Sequence, residues 1–300
     1  MPATVTAPRR EARTVVLLDD DDSDGGSIFD RGLAFDLATI IDRRQALKLL
    51  GLTGVSAGLL VAGCAPGASG SASSSASGVS STAGAGATSC DPIPEETAGP
   101  FPGDGSNGPD VLNQSGVVRS DIRSSFGGAS GTADGVPLTI KLAIQDQDDS
   151  CAPLAGAAVY LWHCDRDGNY SLYSEAVTNQ NYLRGVQEAD ADGVVSFTSI
   201  FPACYTGRWP HIHFEVYPSL DKATDQANKI ATSQVALPKE TCDLVYATDG
   251  YAQSVTNLSR VSLTSDNVFR DDGGARQLGT MSGNVNEGFV VELAVPVSTA

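Results

Sequence analysis

Between Cys90 and Ala300 the apolar residues come in short runs of period two, each closed by a turn signal, and this pattern restricts the chain to a β-rich fold. Leu138, Ile140, Leu142 and Ile144 alternate with Thr139, Lys141 and Gln145, so one face of an extended segment is apolar while the other is largely polar. Strand-like segments also occupy 157–162, 194–200, 211–217, 233–237 and 289–295, with Asp134-Gly135, Asp167-Gly168 and Asp192-Gly193 as turn markers between segments. No stretch shows a sustained period of 3.6, and no internal repeat is present. The span is long enough for one large all-β domain with its own core. A β-sandwich is the expected architecture.

Three regions follow from composition: a leader over 1–63, a tether over 64–89 and a folded domain over 90–300. Arg43-Arg44 precede an uncharged run, 49–62, which is too short to span a bilayer but suits the apolar core of an export signal. The paired arginines point to the twin-arginine route. Val61-Ala62-Gly63-Cys64 resembles the lipobox of bacterial lipoproteins, which implies a lipid anchor at Cys64 as the only membrane attachment and a cell-surface location. Secretion after ordinary cleavage is the alternative. The acidic run 19–22 reads as part of a solvated leader. Residues 65–89 are nearly all Ser, Gly and Ala, a composition that buries too little apolar surface to offset its ordering entropy.

The chain carries 19 Lys and Arg against 36 Asp and Glu, a net charge of −17, which argues against nucleic acid as a partner. Beyond Cys64 there are five cysteines: Cys90, Cys151, Cys164, Cys204 and Cys242. None has C-x-x-C spacing, so neither a zinc ribbon nor a thioredoxin-like site is expected. In an oxidising compartment one or two disulfides are expected. The expectation pairs Cys204 with Cys242, and Cys151 with Cys164 across a hairpin-like segment.

The stretch 205–214, Y-T-G-R-W-P-H-I-H-F, holds two of the three histidines in the chain. On a strand, His211 and His213 share one face and Ile212 takes the other. Two neutral imidazoles on one face can share a zinc, copper, nickel or iron ion. The plain alternative is a hydrogen-bonded polar lining.

Three further pieces accompany this one: W-H-C-D-R-D-G-N-Y over 162–170, L-R-G-V-Q with A-D-G over 183–193, and F-P-A-C-Y over 201–205. With P-E-E-T-A-G-P-F over 94–101 and V-R-S-D-I over 118–122, they resemble the intradiol ring-cleavage dioxygenases, the family of protocatechuate 3,4-dioxygenase and catechol 1,2-dioxygenase. The resemblance implies a non-haem Fe(3+) ion held by Tyr170, Tyr205, His211 and His213, with Tyr173 as the competing reading for Tyr170. It places the family's arginine on Arg208 and its glutamine on Gln234, and it gives Tyr205 a second role as a base toward substrate. His163 is expected in the pocket or behind it rather than as a ligand. The implied reaction opens a catechol-type ring with O2 to a cis,cis-muconate-type diacid. No residue pattern names the catechol or fixes an oligomeric state. Ala98, Cys204, Trp209 and the segment 219–232, where the chain departs from the family, are where selectivity would change.

Two rival readings compete with this one. Glu215 continues the histidine face and suggests an iron(II) site of two histidines and a carboxylate, but at about 3.3 Å of rise per residue it lies roughly 13 Å from His211 along a strand. A non-enzymatic cell-surface binding module is the other, because fold alone does not fix activity.

Overall fold

The computed structural model describes residues 90–299. The leader, Arg43-Arg44, Cys64 and the tether lie outside the described residues. Among the described residues no helix is long and apolar enough to cross a membrane.

Two sheets face each other, as the sequence pattern predicts. The first contains β1 (Pro137–Asp146), β2 (Ala152–Pro153), β5 (Val194–Ile200), β8 (Thr280–Asn284) and β9 (Gly288–Val297). Its centre is β1, antiparallel to β5 and parallel to β9. The second runs in the order β4 (Arg184–Glu188), β3 (Ala158–Trp162), β6 (His211–Tyr217), β7 (Ala231–Ala236), and all its pairs are antiparallel. Leu138, Ile140, Leu142 and Ile144 are buried in the main core, together with Phe197, Leu161, Ile212, Phe214 and Val235. That core is the layer between the inner faces of the two sheets.

All seven residues of β6 are buried. A strand buried on both faces needs a second cover, and here the cover is irregular chain. The N-terminal arm, 90–112, first follows the edge strand β7, where the amide of Glu96 donates to the Thr232 carbonyl at 2.7 Å and Ser233 Oγ donates to the Pro94 carbonyl at 2.7 Å. It then covers the outer side of the second sheet, where the Tyr160 hydroxyl donates to the Pro102 carbonyl at 2.6 Å. The segment 219–229 closes the far end, where Lys229 Nζ meets Glu215 at 2.8 Å.

Two short helices depart from the expected absence of helix, α1 (Lys239–Tyr246) and α2 (Ala252–Leu258). Each is about two turns, too short to show a period in sequence. The expected disulfide pairing is also corrected. Cys90 pairs with Cys151, while Cys164, Cys204 and Cys242 are buried free thiols. Cys151 sits at φ +63° in the turn after β1, where it meets the start of the arm, and spacing alone does not foresee that meeting.

Candidate metal centre

The outer face of the second sheet is built by register. One row across the four strands carries Arg184, Trp162, His213 and Gln234, because Trp162 pairs with Arg184 on one side and His213 on the other, and His213 pairs with Gln234. The next row on that face is Val186, Tyr160, Glu215 and Thr232. His211 stands beyond the first row, opposite Ala236, where β3 has ended. Open space is therefore left beside the histidines for loops to fill.

Two tyrosines fill it. Tyr170 follows the Asp167-Gly168 turn, and its side chain is buried. Tyr205 follows β5 and stays half-buried. Gly168 lets them approach: it adopts φ +87°, and a Cβ there would stand 3.3 Å from the Tyr205 Cβ.

Four donor atoms converge. Tyr205 Oη lies 3.1 Å from His211 Nε2, His211 Nε2 lies 3.1 Å from His213 Nε2, and Tyr170 Oη lies 3.4 Å from both Tyr205 Oη and His211 Nε2. Tyr173 points elsewhere. Its hydroxyl donates to Asn107 Oδ1 at 2.7 Å and accepts from the Gly103 amide at 2.8 Å.

The electrostatics of the quartet suit a cation. Burial pushes both imidazoles well below their ordinary range, so both are neutral, with Arg208 adding to the effect on each. His211 Nδ1 sits 2.5 Å from the Trp209 carbonyl, a contact that only an Nδ1–H tautomer satisfies, and this leaves a bare lone pair on Nε2. Trp162 stacks on His213 with ring centroids 4.9 Å apart and fixes its plane. Burial pushes the Tyr170 phenol well above its ordinary value, so it ionises only if a positive charge joins it. Donors about 2.0–2.2 Å from one small cation are separated by roughly 3–3.5 Å in a compact first shell, which matches the observed distances. The residues fit a metal ion.

Arg208 and Gln234 join the centre from one side. Arg208 is buried; its Nε donates to Asp266 Oδ2 at 3.0 Å and its Nη2 to Gln234 Oε1 at 2.7 Å. Gln234 Nε2 in turn donates to the Thr97 carbonyl of the arm at 3.0 Å. Asp266 also accepts from the amides of Trp209, Val268 and Phe269. Glu215 is taken by Lys229 and by the Tyr217 hydroxyl at 2.7 Å. Among the described residues no three His, Cys, Asp or Glu side chains gather as metal ligands, so a two-histidine, one-carboxylate site has no third member.

Residues 107–248 match the family model described as Dioxygenase, a span that includes the four donors, Arg208 and Gln234. Over 117 residues the chain is 32% identical to catechol 1,2-dioxygenase 2 of Acinetobacter lwoffii, covering 33% of this chain and 42% of that protein. Over 59 residues it is 42% identical to chlorocatechol 1,2-dioxygenase of Rhodococcus opacus, covering 20% of this chain and 23% of that protein. The matched span resembles the intradiol dioxygenases. The chain spans less than half the length of either relative. Its fold is shared with an intradiol ring-cleavage dioxygenase from Tetranychus urticae, at a TM-score of 0.51 and 22% identity over 62% of this chain and 88% of that one.

Several residues of this centre carry no signal in a single sequence. Asp266 is 58 positions beyond Arg208 and belongs to no motif. Phe101, whose ring centroid lies 4.9 Å from that of Tyr170, stands out in sequence only as the last residue of P-E-E-T-A-G-P-F. His163 does not face the quartet: its ring nitrogens meet the Cys164 carbonyl at 2.8 Å and Ser199 Oγ of β5 at 2.7 Å, so it ties the two sheets together. Trp209 and Cys204 belong to the main core. Leu220 and Ala223 of the segment 219–232 share an apolar cluster with Tyr170, Tyr173, Phe101 and Ala98.

Proposed function

We propose that this chain is a non-haem iron(III) intradiol dioxygenase that opens catechol-type rings with O2 outside the cytoplasm, giving cis,cis-muconate-type diacids. The observation that carries the reading is the convergence of two phenol oxygens and two imidazole nitrogens, linked by four contacts of 3.1–3.4 Å. Tyr170, Tyr205, His211 and His213 would hold the ion. Phenolate is a hard, electron-rich donor, so a set of two tyrosinates and two imidazoles favours the ferric state. When bound, the ferric ion supplies Lewis acidity toward the catechol oxygens and draws electron density from the ring toward dioxygen.

The protein's own groups divide the remaining work. Tyr205 is the half-buried member of the quartet, so its Oη is the phenol oxygen that substrate reaches first, and it takes up one catechol proton. Tyr170, packed under Phe101, stays in place. Arg208, held by Asp266 and Gln234 before substrate arrives, stabilises negative charge as it develops on the ring. A preorganised cation in a water-poor site is worth far more than one in bulk solvent. Gln234 links that arginine to the arm through Thr97.

An extracytoplasmic place of work is supported by Arg43-Arg44, by the lipobox-like sequence ending at Cys64, and by the Cys90–Cys151 disulfide. Lipid attachment at Cys64 is the proposed membrane contact. The test is an iron assay and visible spectrum of the purified chain, followed by oxygen uptake with catechol, protocatechuate, hydroxyquinol and larger lignin-derived catechols. Red-brown protein with ring-opened products supports the reading; colourless protein inert toward every catechol refutes it.

A further inference from the structure

Arg184 opens β4 inside the L-R-G-V-Q segment and takes no part in the chemistry above, yet it is fully buried and every N–H of its guanidinium is engaged. Nε donates to Ser171 Oγ at 3.0 Å. Nη1 donates to the Pro102 carbonyl at 2.6 Å and to the Tyr160 hydroxyl at 3.1 Å. Nη2 donates to the carbonyls of Phe101 and Ser171, both at 2.9 Å. A planar fork with five donors is the only side chain that can serve this many acceptors at once.

Apart from the Tyr160 hydroxyl on β3, the acceptors belong to two segments that touch Tyr170. Ser171 is the next residue after it. Phe101 packs its ring on Tyr170 and, at 5.3 Å, on Tyr173. The guanidinium carbon itself lies 5.5 Å from the centre of the Tyr173 ring. Gly103 continues the arm so closely over Arg184 that a Cβ there would stand 2.8 Å from Nη1, and its φ is +68°.

The backbone around these contacts is strained. Leu172 has φ +73° and Leu183 has φ +56°, a region that branched, bulky residues avoid. Such strain persists only where surrounding contacts over-determine it. Here those contacts are the bonds of Arg184 to Ser171 and the bond from Ser171 Oγ to the Tyr182 carbonyl at 2.7 Å.

We propose that Arg184 is the positioning residue of the centre: it locks the Tyr170 segment and the Phe101–Pro102 part of the arm into one unit, and so sets both the Tyr170 oxygen and the aromatic wall beside it. The inference rests on the dioxygenase reading for what Tyr170 does, but the coupling of the two segments does not depend on metal.

The experiment compares the full-length wild type with Arg184→Lys, which keeps the charge and loses the fork, and with the milder Ser171→Ala. Three quantities are read well below the melting temperature: the tyrosinate absorption band, the rate of iron loss to a chelator, and amide exchange at 101–105 and 171–174. The expected result for Arg184→Lys is a displaced band, iron loss faster by about tenfold or more, and loss of protection in both segments together while β1 and β9 keep theirs. Ser171→Ala should move the same way by a smaller factor. A folded variant with wild-type band, chelator rate and exchange overturns the proposal, and so does loss of protection in one segment only. If Arg184→Lys does not fold, Ser171→Ala decides by the same criteria. Wild-type protein without iron or colour refutes the dioxygenase reading instead, and exchange alone then decides whether Arg184 couples the two segments.

Discussion

The two faces of the second sheet are both buried, yet they are built from opposite materials. The inner face meets the first sheet with Leu161, Ile212, Phe214 and Val235, an apolar layer that needs only shape and volume. The outer face carries Arg184, Tyr160, His211, His213, Glu215 and Gln234, all buried, under an arm without strands or helices of its own. Buried polar groups are stable only when each finds a partner, so this face depends on specific bonds where the inner face depends on area. A β-sandwich thus holds a cluster of metal-binding side-chain types by keeping the apolar core on one side of a strand and bonded polar groups on the other.

If that division is right, inner-face and outer-face substitutions should separate cleanly. The largest expected effect is in the apolar layer that the inner face shares with the first sheet: Phe197→Ala, at a fully buried position of β5 in that first sheet, should lower stability by about 3–5 kcal/mol in denaturant titrations, while the protein that remains folded keeps its colour. Loss of colour from folded Phe197→Ala protein would break the comparison. Next comes Tyr170→Phe, which should weaken iron binding by at least about 100-fold, since loss of a group that merely supports a ligand already costs 10–100-fold, with little change in the melting curve of the metal-free protein. Tyr173→Phe should leave iron bound, because that hydroxyl faces Asn107 and Gly103.

A smaller effect sharpens the picture of the arm. Burial, followed by the charges of Asp271, Asp266 and Asp272 and against the pull of Arg208, raises the Glu96 carboxyl from an ordinary 4.5 to about 8. The folded state then holds a proton that the unfolded chain releases near pH 4.5, so the favourable contribution is complete below that pH and is lost as pH rises through 8. Glu96→Gln should therefore melt progressively higher than wild type between pH 5 and pH 9. A difference independent of pH would contradict the assignment. The smallest effect belongs to the solvent side of the first sheet, where Lys141 meets Glu292 at 3.3 Å with both side chains exposed. Lys141→Ala should change stability by less than about 1 kcal/mol and leave colour untouched.

The inner face was the part most legible in the sequence. Alternation located β1, and the runs 194–200 and 211–217 coincide with β5 and β6, because a strand with a buried face must alternate. β4 escaped, since R-G-V-Q-E offers a single strongly apolar residue and is held by pairing with β3. β8 escaped for a related reason: T-M-S-G-N is largely exposed and rests on β9. On the outer face the histidine pair at 211 and 213 was legible through spacing, and the tyrosines at 170 and 205 only through family resemblance. Their partners were not. Asp266 and Arg184 act through contacts distant in sequence, and the Cys90–Cys151 bond joins the arm to a turn 61 residues away, a meeting set by register rather than by pattern.

The most direct measurement is the iron content and visible spectrum of the purified wild-type chain beside a His211→Ala, His213→Ala double variant. One ferric ion per chain, with a tyrosinate band that disappears in the folded double variant, is the predicted result. A wild type that binds no iron, or a band and iron content unchanged without the two histidines, would contradict the claim that these four side chains hold one metal.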